Sequence, residues 1–275
     1  MRQLAFIPLA FFFVASSFLS GQNSVSARGN SATATFSARS FAIMPVTGAP
    51  YCADEVSEHR QTLVDGTHII QTDTRRRVCR DSAGRIRTER SLFGGPARHG
   101  LINPVATMKV IEIQDPVGGF TYTLDTQNKV AHRVKLAESP NPDRPRLART
   151  GKAEPPPPPG ANSSAETSQR PQFSTEPLDS KTINGVQVVG TLNKVVYPVD
   201  WEGNDKPITV TTETWTSPVM QLTILSTNSD PRSGDHINRL DNLTPTEPDP
   251  GMFQVPSDYQ VVDETDTFKI QYTAQ

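Results

Sequence analysis

The chain has 275 residues, a formal net charge of −2 at pH 7 and a pI of about 6.2. Because this balance is slightly acidic and the arginine-rich stretch 52–92 contains no Phe, Trp or Tyr, a nucleic-acid-binding surface is not expected. Two cysteines allow one disulfide at most, and they are too few for a cysteine-rich zinc site. No segment after the first residues has a sustained apolar period of 3.6, so the fold is expected to be all-β and mainly antiparallel.

Residues 1–27 have the pattern of a secretory signal peptide, with Arg2, then a nearly unbroken apolar run over 4–19, then small residues. The run is shorter than the roughly 20 residues that a membrane-spanning helix needs. No cysteine follows it directly that would carry a lipid anchor. We therefore expect a periplasmic or secreted protein, and an uncleaved N-terminal anchor is the alternative.

Residues 28–50 are rich in Ser, Ala and Thr without a clear period, and they are predicted to form a flexible lead-in. The first half of a β-domain is predicted over 51–138, where turn residues separate short alternating segments. After an arginine-rich pair of hairpins, its strands are placed at 108–113, 120–125 and 129–135. In the strand 120–125, Phe120, Tyr122 and Leu124 share one face with a clean period of two, and this face is expected to belong to the core.

The first of the two hairpins is predicted from Asp65-Gly66, since a two-residue type I′ turn needs a positive φ at both positions. With these two residues as the loop, Val64 faces Thr67, and three pairs that support the register follow. They are Cys52–Cys79, Asp54–Arg77 and Glu55–Arg76. A slip of one residue would destroy all three.

The second hairpin is predicted from a four-residue turn over 81–84, which ends in glycine as a type I turn does. This register pairs Arg76 with Glu89, so Arg76 is expected to lie between carboxylates on both neighbouring strands. Seven arginines lie in the stretch 75–90, and three of them are candidate anion-binding residues: Arg75, Arg77 and Arg87. The alternative is an ion-paired sheet face, which the acidic residues nearby favour.

The only cysteines, Cys52 and Cys79, lie opposite each other in this register. In an oxidising compartment the pair is expected to form a disulfide, which would stabilise the fold by roughly 3 kcal/mol. Alternation from the predicted turn places the pair at a hydrogen-bonded site, where a bridge is more strained. Two unpaired thiols are the alternative.

Residues 139–180 contain ten of the 24 prolines, including the run 155–159, between Ser, Gly, Ala and charged residues. Such a composition does not bury enough apolar surface to offset the entropy of ordering, so the segment is predicted to be disordered. It is either a linker between two domains or a long loop within one. The loop is preferred, because neither half alone has many core residues.

The second half of the same domain is predicted over 181–262, and a tail follows over 263–275. A turn at Asn184-Gly185 begins a series of strands, and one helical turn is expected near the end. The predicted strands are 186–197, 208–215, 220–227 and 236–243, and the helical turn lies at 249–253.

Several segments resemble a family of uncharacterised secreted bacterial β-rich proteins. They are 64–68 (VDGTH), 80–85 (RDSAGR), 213–218 (ETWTSP), 229–234 (SDPRSG) and 247–259, which ends in FQVPSDY. The stretch 243–256 is similar, more weakly, to the outer-membrane lipoprotein-carrier superfamily. That resemblance implies a curved sheet or open antiparallel half-barrel whose concave face holds acyl chains. The Pro-rich segment and the lack of a clear helical lid depart from the superfamily pattern.

The sequence contains no nucleophile elbow, phosphate-binding loop or metalloprotease motif. Five histidines are scattered without metal-ligand spacing, so neither a metal nor another cofactor is expected. Trp201, in a polar loop, and Trp215, in a strand, are candidate binding residues. Core packing is the alternative for both.

These observations predict an exported, non-catalytic binding protein that holds an apolar or lipid-like ligand on a curved antiparallel sheet. The alternative is a structural or protein-interaction module of the cell envelope, which would act through its sheet edges and its arginine-rich hairpins. A hydrolase is a third alternative, because a catalytic carboxylate pair forms in space rather than in sequence.

Overall fold

The computed structural model describes residues 22–28, 31–38, 44–91, 109–137 and 170–273. Most of the predicted signal peptide and most of the Pro-rich segment lie outside the described residues. Over the described ranges the chain forms fifteen β-strands and one 3-10 helical turn. In the first half, the strands are β1 (Gln22–Arg28), β2 (Ser31–Phe36), β3 (Tyr51–Thr62), β4 (His68–Arg80), β5 (Ile86–Ser91), β6 (Lys109–Asp115), β7 (Phe120–Asp125) and β8 (Val130–Lys135). In the second half, they are β9 (Gln172–Ile183), β10 (Val186–Tyr197), β11 (Ile208–Ser217), β12 (Leu222–Asp230), β13 (Gly234–Thr244), β14 (Gln260–Asp263) and β15 (Phe268–Thr273), with the 3-10 turn at Pro250–Phe253.

Twelve of the strands form one main sheet, in the order β14-β8-β7-β6-β5-β4-β3-β13-β12-β11-β10-β9. Every neighbouring pair is antiparallel except β14 and β8, which are parallel. Because β14 and β9 remain as separate edges, the sheet is not closed. β1, β2 and β15 form a second, three-stranded antiparallel sheet. The predicted all-β, mainly antiparallel fold is confirmed.

The two halves of the sequence meet where β3 pairs with β13, which places Glu55 opposite Leu240 and Val56 opposite Arg239. Most other neighbours in the main sheet are consecutive in the chain and are joined by short turns. One sheet therefore contains strands from both predicted halves.

Strands also occur where the sequence predicted a lead-in, a disordered segment and a tail. β2 lies within 28–50, β15 lies within 263–275, and β9 begins at Gln172, inside 139–180. β1 overlaps the end of the predicted signal peptide. β2 and β15 pair with each other across almost the whole length of the chain. Their strand character therefore depends on a distant partner, which no local pattern reports.

Two local predictions in the second half are confirmed. Asn184 (φ +50°) and Gly185 (φ +77°) form the two-residue loop that joins β9 to β10. The predicted helical turn is the 3-10 turn Pro250–Phe253. The side chain of Asp249 caps it by accepting a hydrogen bond from the backbone N–H of Gly251 (2.8 Å). Each of these features is determined by residues that are close together in the sequence, so the sequence alone predicted it.

The first arginine-rich hairpin has a three-residue loop rather than the predicted two-residue turn. The N–H of Leu63 donates to the carbonyl of Thr67 (2.8 Å), and Gly66 adopts φ +86° within the loop. Between Ser57 and Glu58 of β3 the register shifts by one residue, because β4 contains one extra residue there. Beyond this bulge the strands have the register that the two-residue turn predicted. As a result, all three predicted pairs form: Cys52–Cys79, Asp54–Arg77 and Glu55–Arg76.

The second hairpin also has a three-residue loop, and here the predicted pairing is wrong. The N–H of Asp81 donates to the carbonyl of Arg85 (3.0 Å), so these two residues close the loop. Arg77 rather than Arg76 then lies opposite Glu89. No bulge between β4 and β5 restores the predicted register, so the expected Arg76–Glu89 pair does not form.

Cys52 and Cys79 form the predicted disulfide. Their Cα atoms are 4.1 Å apart. This distance is nearer the spacing of a non-hydrogen-bonded antiparallel pair than that of the hydrogen-bonded pair that the predicted turn indicated. The bridge joins β3 to β4 beside a buried apolar cluster that includes Cys79.

Three buried apolar clusters hold the sheets together. In the first, Phe36 of β2 and Phe268 of β15 stack with 5.3 Å between ring centroids, and the cluster includes Val110 of β6. In the second, Phe253 of the 3-10 turn packs in a cluster with Ile113 of β6. Because Val110 and Ile113 lie on opposite faces of β6, these two clusters cover opposite sides of the main sheet. The third and largest cluster joins the start of β3 and the end of β4 to β10, β11, β12 and β13.

Removal of the disulfide is expected to lower the free energy of unfolding by about 3 kcal/mol, because the bridge restricts the unfolded chain. The two cysteines are separated by 27 positions in the sequence. Urea denaturation of the double variant Cys52→Ala/Cys79→Ala, compared with the oxidised wild type, measures the difference. Reduced wild type should unfold at the same urea concentration as the variant. Equal midpoints for the variant and the oxidised protein would contradict the prediction.

Tyr272 of β15 contributes to stability through its ring and not through its hydroxyl. The residue is 1% exposed, and its hydroxyl has no hydrogen-bond partner among the described residues. Burial raises the pKa of this hydroxyl well above its usual range. Tyr272→Phe is therefore expected to leave the free energy of unfolding unchanged or to increase it, whereas Tyr272→Ala should lower it by about 3–5 kcal/mol. Equal losses in the two variants, measured by chemical denaturation, would show that the hydroxyl is bonded after all.

Candidate functional site

A cleft of about 630 Å³ lies at one end of the main sheet, where the β3–β4 hairpin meets β11, β12 and β13. Ile69 and Ile70 of β4 line its apolar part, and Arg60 of β3 and Asp235 of β13 line its charged part. Sites for small molecules usually have volumes of roughly 300–1,000 Å³ and combine an apolar lining with a few polar groups. The volume of the cleft lies within this range, and polar residues make up most of its lining around the apolar Ile69 and Ile70, so it is the candidate functional site.

The strand register places the cleft residues in a row. Arg60 lies opposite Ile70 in β4 and opposite Asp235 in β13. The row continues through Ser229 of β12 to Thr211 of β11. Side chains that are directly opposite each other share one face of the sheet. Five strands therefore each contribute one side chain to the same wall.

The apolar part of the cleft is open to solvent. Ile70 exposes 61% of its surface, and Ile69 is also exposed. Leu63 and Val64, at the tip of the same hairpin, extend this exposed apolar surface beyond the cleft. Single exposed apolar residues are common on protein surfaces, but a contiguous group marks an interaction site.

The charged part of the cleft is held in place by a buried carboxylate. Glu58 accepts a hydrogen bond from Nε of Arg60 and a second from Nη1 of Arg239 (2.9 Å). The hydrogen bond from Arg60 holds the pKa of Glu58 below its ordinary value of 4.5, and Arg239 lowers it further. Glu58 is therefore ionised at neutral pH and positions Arg60 at the rim of the cleft.

His68 and Asp230 also line the cleft. Nδ1 of His68 lies 3.0 Å from the hydroxyl oxygen of Thr62. Arg232 donates to both carboxylate oxygens of Asp230, with an Nη2–Oδ2 distance of 2.6 Å, and these hydrogen bonds lower the pKa of Asp230. The guanidinium of Arg232 also lies over the ring of Tyr197, 5.1 Å from its centroid. Asp230 is thus paired with Arg232, and Arg60, which is paired with Glu58, stands half-exposed at the open side.

The three candidate arginines lie together on one face of β4 and β5, apart from the cleft. Nη1 of Arg77 lies 3.1 Å from Oδ1 of Asp54, and Arg87 bonds to Glu89 (2.8 Å) and to a backbone carbonyl of the 3-10 turn (3.0 Å). Arg75 is exposed and acts on Asp54 through its charge. Carboxylates therefore neutralise much of this face, as the ion-paired alternative predicted.

The two tryptophans lie in different environments. Trp215 is 5% exposed, its indole N–H donates to Glu213, and the ammonium of Lys181 lies 3.4 Å from its ring centroid. Its ring packs on the backbone of Gly190, where an added Cβ would approach to 2.6 Å. Trp215 is therefore a core residue. Trp201 is 46% exposed in the loop between β10 and β11, and neither tryptophan lines the cleft.

Sequence reasoning missed the cleft, because its wall exists only once β3 is paired with β13. One local signal was available. Ile69 and Ile70 are consecutive apolar residues just after a turn, and alternation along a strand buries only one of two neighbours. At least one of them therefore had to face away from the core.

In the part of the chain that the structure describes, no group of three or more His, Cys, Asp or Glu side chains is arranged to hold a metal ion. Among the same residues, no helix is both long and apolar enough to cross a membrane.

No protein-family model matches the sequence, and neither does any curated protein. Solved structures similar to the chain include an uncharacterized conserved protein of Thermus thermophilus, with a TM-score of 0.35 and 9% identity over 78% of this chain and 91% of that chain. The complex of MucA and MucB of Pseudomonas aeruginosa matches with a TM-score of 0.34 and 12% identity, over 78% of this chain and 58% of that chain. A LolA superfamily protein of Nitrosomonas europaea matches with a TM-score of 0.27 and 8% identity, over 76% of this chain and 92% of that chain. All three TM-scores lie below 0.5.

The ion pairs across β3, β4 and β13 are expected to make the protein less stable in acid. A hydrogen bond from Asn242 holds the pKa of Asp54 below its ordinary value of 3.8, and Arg77 lowers it further. Because the folded-state pKa is the lower one, this stabilisation is present above the ordinary pKa and is lost as the pH falls through the folded-state value. The free energy of unfolding should therefore decrease as the pH falls from about 5 to about 3.

Denaturation at a series of pH values measures this decrease. Asp54→Asn should show a smaller decrease than the wild type, since the variant has one titrating carboxylate fewer in the network. Asp205→Asn, at an exposed loop position, serves as the control and should follow the wild type. If both variants follow the wild type, Asp54 does not contribute to the acid sensitivity.

Proposed function

We propose that the protein is a non-catalytic binding protein whose ligand is a single-chain amphiphile. The observation that supports this most directly is the cleft, in which the exposed Ile69 and Ile70 lie beside Arg60 and Asp235. The apolar chain would lie on Ile70, and the head group would lie near Arg60, its neighbour in the same row.

The apolar contact would supply much of the binding free energy. Ile70 is 61% exposed in the free protein, so a hydrocarbon chain that covers it removes apolar surface from water. Each buried CH₂ group of the chain would contribute about 0.8 kcal/mol. A short polar molecule would leave the isoleucines in contact with water, which is why a chain-bearing ligand is favoured.

Arg60 suits an anionic head group. Its side chain is half-exposed, and its hydrogen bond to Glu58 uses Nε. A guanidinium has five N–H donors, so donors remain for a carboxylate or phosphate oxygen. The Glu58 carboxylate holds Arg60 in position before the ligand arrives, which reduces the entropy lost on binding.

The tip of the β3–β4 hairpin offers a route into the cleft. Leu63 and Val64 are exposed there and continue the apolar surface of Ile69 and Ile70. A ligand that leaves a membrane or a micelle would meet this tip first. A periplasmic or secreted location, which residues 1–27 predict, belongs to the same proposal.

A protein-interaction module is the second candidate, because the twelve-residue β9 is a free edge of the main sheet. Phe173 near its start is 78% exposed. Two features oppose the addition of a partner strand. Pro177 in the middle of β9 has no N–H to donate, and Glu176 and Lys181 place charges along the edge. We therefore prefer the amphiphile.

Titration with a fluorescent fatty acid tests the proposal. The wild type should bind the probe, and Ile70→Asp should weaken binding by about tenfold or more, because the new carboxylate would lie against the hydrocarbon chain. Val219→Asp is the matched control, since Val219 is an exposed valine in the β11–β12 turn outside the cleft. It should bind like the wild type.

Two results would overturn the proposal. One is a wild-type protein that does not bind the probe. The other is an equal loss of binding in Ile70→Asp and Val219→Asp, which would mean that the probe adsorbs to exposed apolar residues in general. Circular dichroism of both variants checks that the β-fold is retained.

A further inference from the structure

The strands around the β3–β13 pairing have a second face, opposite to the face that carries the cleft row. Side chains directly opposite each other in the register share a face, and so do residues two apart in a strand. One row across this second face consists of Thr175, Asn193, Thr212, Asn228, His236 and His59. The next row consists of Pro177, Thr191, Thr214, Ser226, Asn238 and Ser57. We call these two rows the polar face.

The polar face contains no Lys, Arg, Asp or Glu. The opposite face of the same strands is charged, and it carries Glu58, Arg60, Lys194, Glu213, Asp235 and Arg239. Exposed strand faces usually contain charged residues, which keep a sheet soluble. Glu55 of β3 and Asp230 of β12 lie on the same side just beyond these rows, so the uncharged patch is confined to the rows themselves. An uncharged patch on strands that are otherwise charged favours an uncharged partner.

The polar face is open and ordered. All of its residues are among those that the structure describes, and none of them is buried. The hydroxyl of Thr175 donates to Oδ1 of Asn193 (2.8 Å), and Nδ2 of Asn228 donates to the hydroxyl of Thr212 (2.9 Å). The two histidine rings stack with 4.5 Å between centroids. Hydroxyl and amide groups keep further donors and acceptors, so the face is a pre-organised array of neutral hydrogen-bonding groups.

An apolar row borders the polar face on the same side of the sheet. Phe173, Val195 and Val210 form this row, and Tyr197 follows in β10. Phe173 is 78% exposed. An aromatic ring offers a flat apolar surface. The guanidinium of Arg232 lies over the ring of Tyr197, so Phe173 is the open ring of this row. A ligand for the whole surface therefore needs flat C–H faces together with many neutral hydroxyl groups.

We infer that the polar face binds a neutral polysaccharide chain. A sugar ring has C–H groups on its faces and hydroxyl groups at its edges, which matches an aromatic border beside rows of Thr, Ser and Asn. A nucleic acid requires cationic side chains for its phosphates, and the polar face has none. A lipid surface requires a broad apolar contact, which the polar rows do not provide.

Sedimentation with insoluble neutral polysaccharides tests this inference on the mature protein exported from a bacterial periplasm. The probes are cellulose, starch granules and curdlan. The wild type should sediment with at least one of them. Thr212→Glu should weaken that binding by about tenfold or more, because a charge would enter the neutral array without a partner. Thr211→Glu is the matched control, since Thr211 is the neighbouring residue in β11 and lies on the cleft face.

A second pair of variants tests the same inference at exposed positions of an edge strand, where a substitution should affect folding less. Thr175 and Ser174 are neighbours in the edge strand β9, both are exposed, and only Thr175 belongs to the polar face. Thr175→Glu should weaken binding, whereas Ser174→Glu and Thr211→Glu should stay within about twofold of the wild type. The inference is overturned if no probe retains the wild type, or if the variants on the two faces lose binding equally. The polysaccharide inference does not depend on the amphiphile proposal. Thr211→Glu changes the cleft and not the polar face, so the two proposals can fail separately.

Discussion

The pairing of β3 with β13 is the constraint on which the rest of the structure depends. It joins a strand from the first half of the chain to one from the second, and it extends the arginine-rich hairpins into a twelve-stranded sheet. Contacts on both faces support the pairing. On one face Arg239 bonds to Glu58 and Asn242 bonds to Asp54, and on the other the rings of two opposed histidines stack. Both candidate surfaces cross this junction, so neither would exist if the halves folded as separate domains.

Because a strand presents alternate residues to opposite sides, the same strands can carry two kinds of surface. Around β4, β3, β13, β12 and β11, one side combines the exposed Ile70 with ion pairs, and the other side carries two rows that consist mainly of neutral hydroxyl and amide groups. Thr211 and Thr212 are adjacent in sequence but belong to different surfaces. This separation allows an amphiphile and a polysaccharide to be bound without competing for the same residues.

The two arginine-rich hairpins show when a register predicted from turn residues is correct and when it is wrong. The turn prediction was wrong by one residue in both hairpins, since both loops contain three residues. In the first, an extra residue in β4 cancels the error, so Cys52 still lies opposite Cys79. In the second nothing cancels it, and Glu89 lies opposite Arg77. Whether a bulge forms depends on how a strand twists and packs against its neighbours, so the residues of the turn do not predict it.

The sequence by itself determined the all-β fold, the disulfide, the Asn184-Gly185 turn and the position of the 3-10 turn, because these depend on alternation or on residues that are close along the chain. It also indicated that carboxylates in the same and neighbouring strands neutralise much of the charge of the arginines. The tertiary structure alone decided that β2 pairs with β15, that β3 pairs with β13, and which side chains form the cleft. Each of these requires a choice of partner among distant strands of similar composition. Hydrophobic packing of whole sheets makes that choice, and no short segment of the sequence contains it.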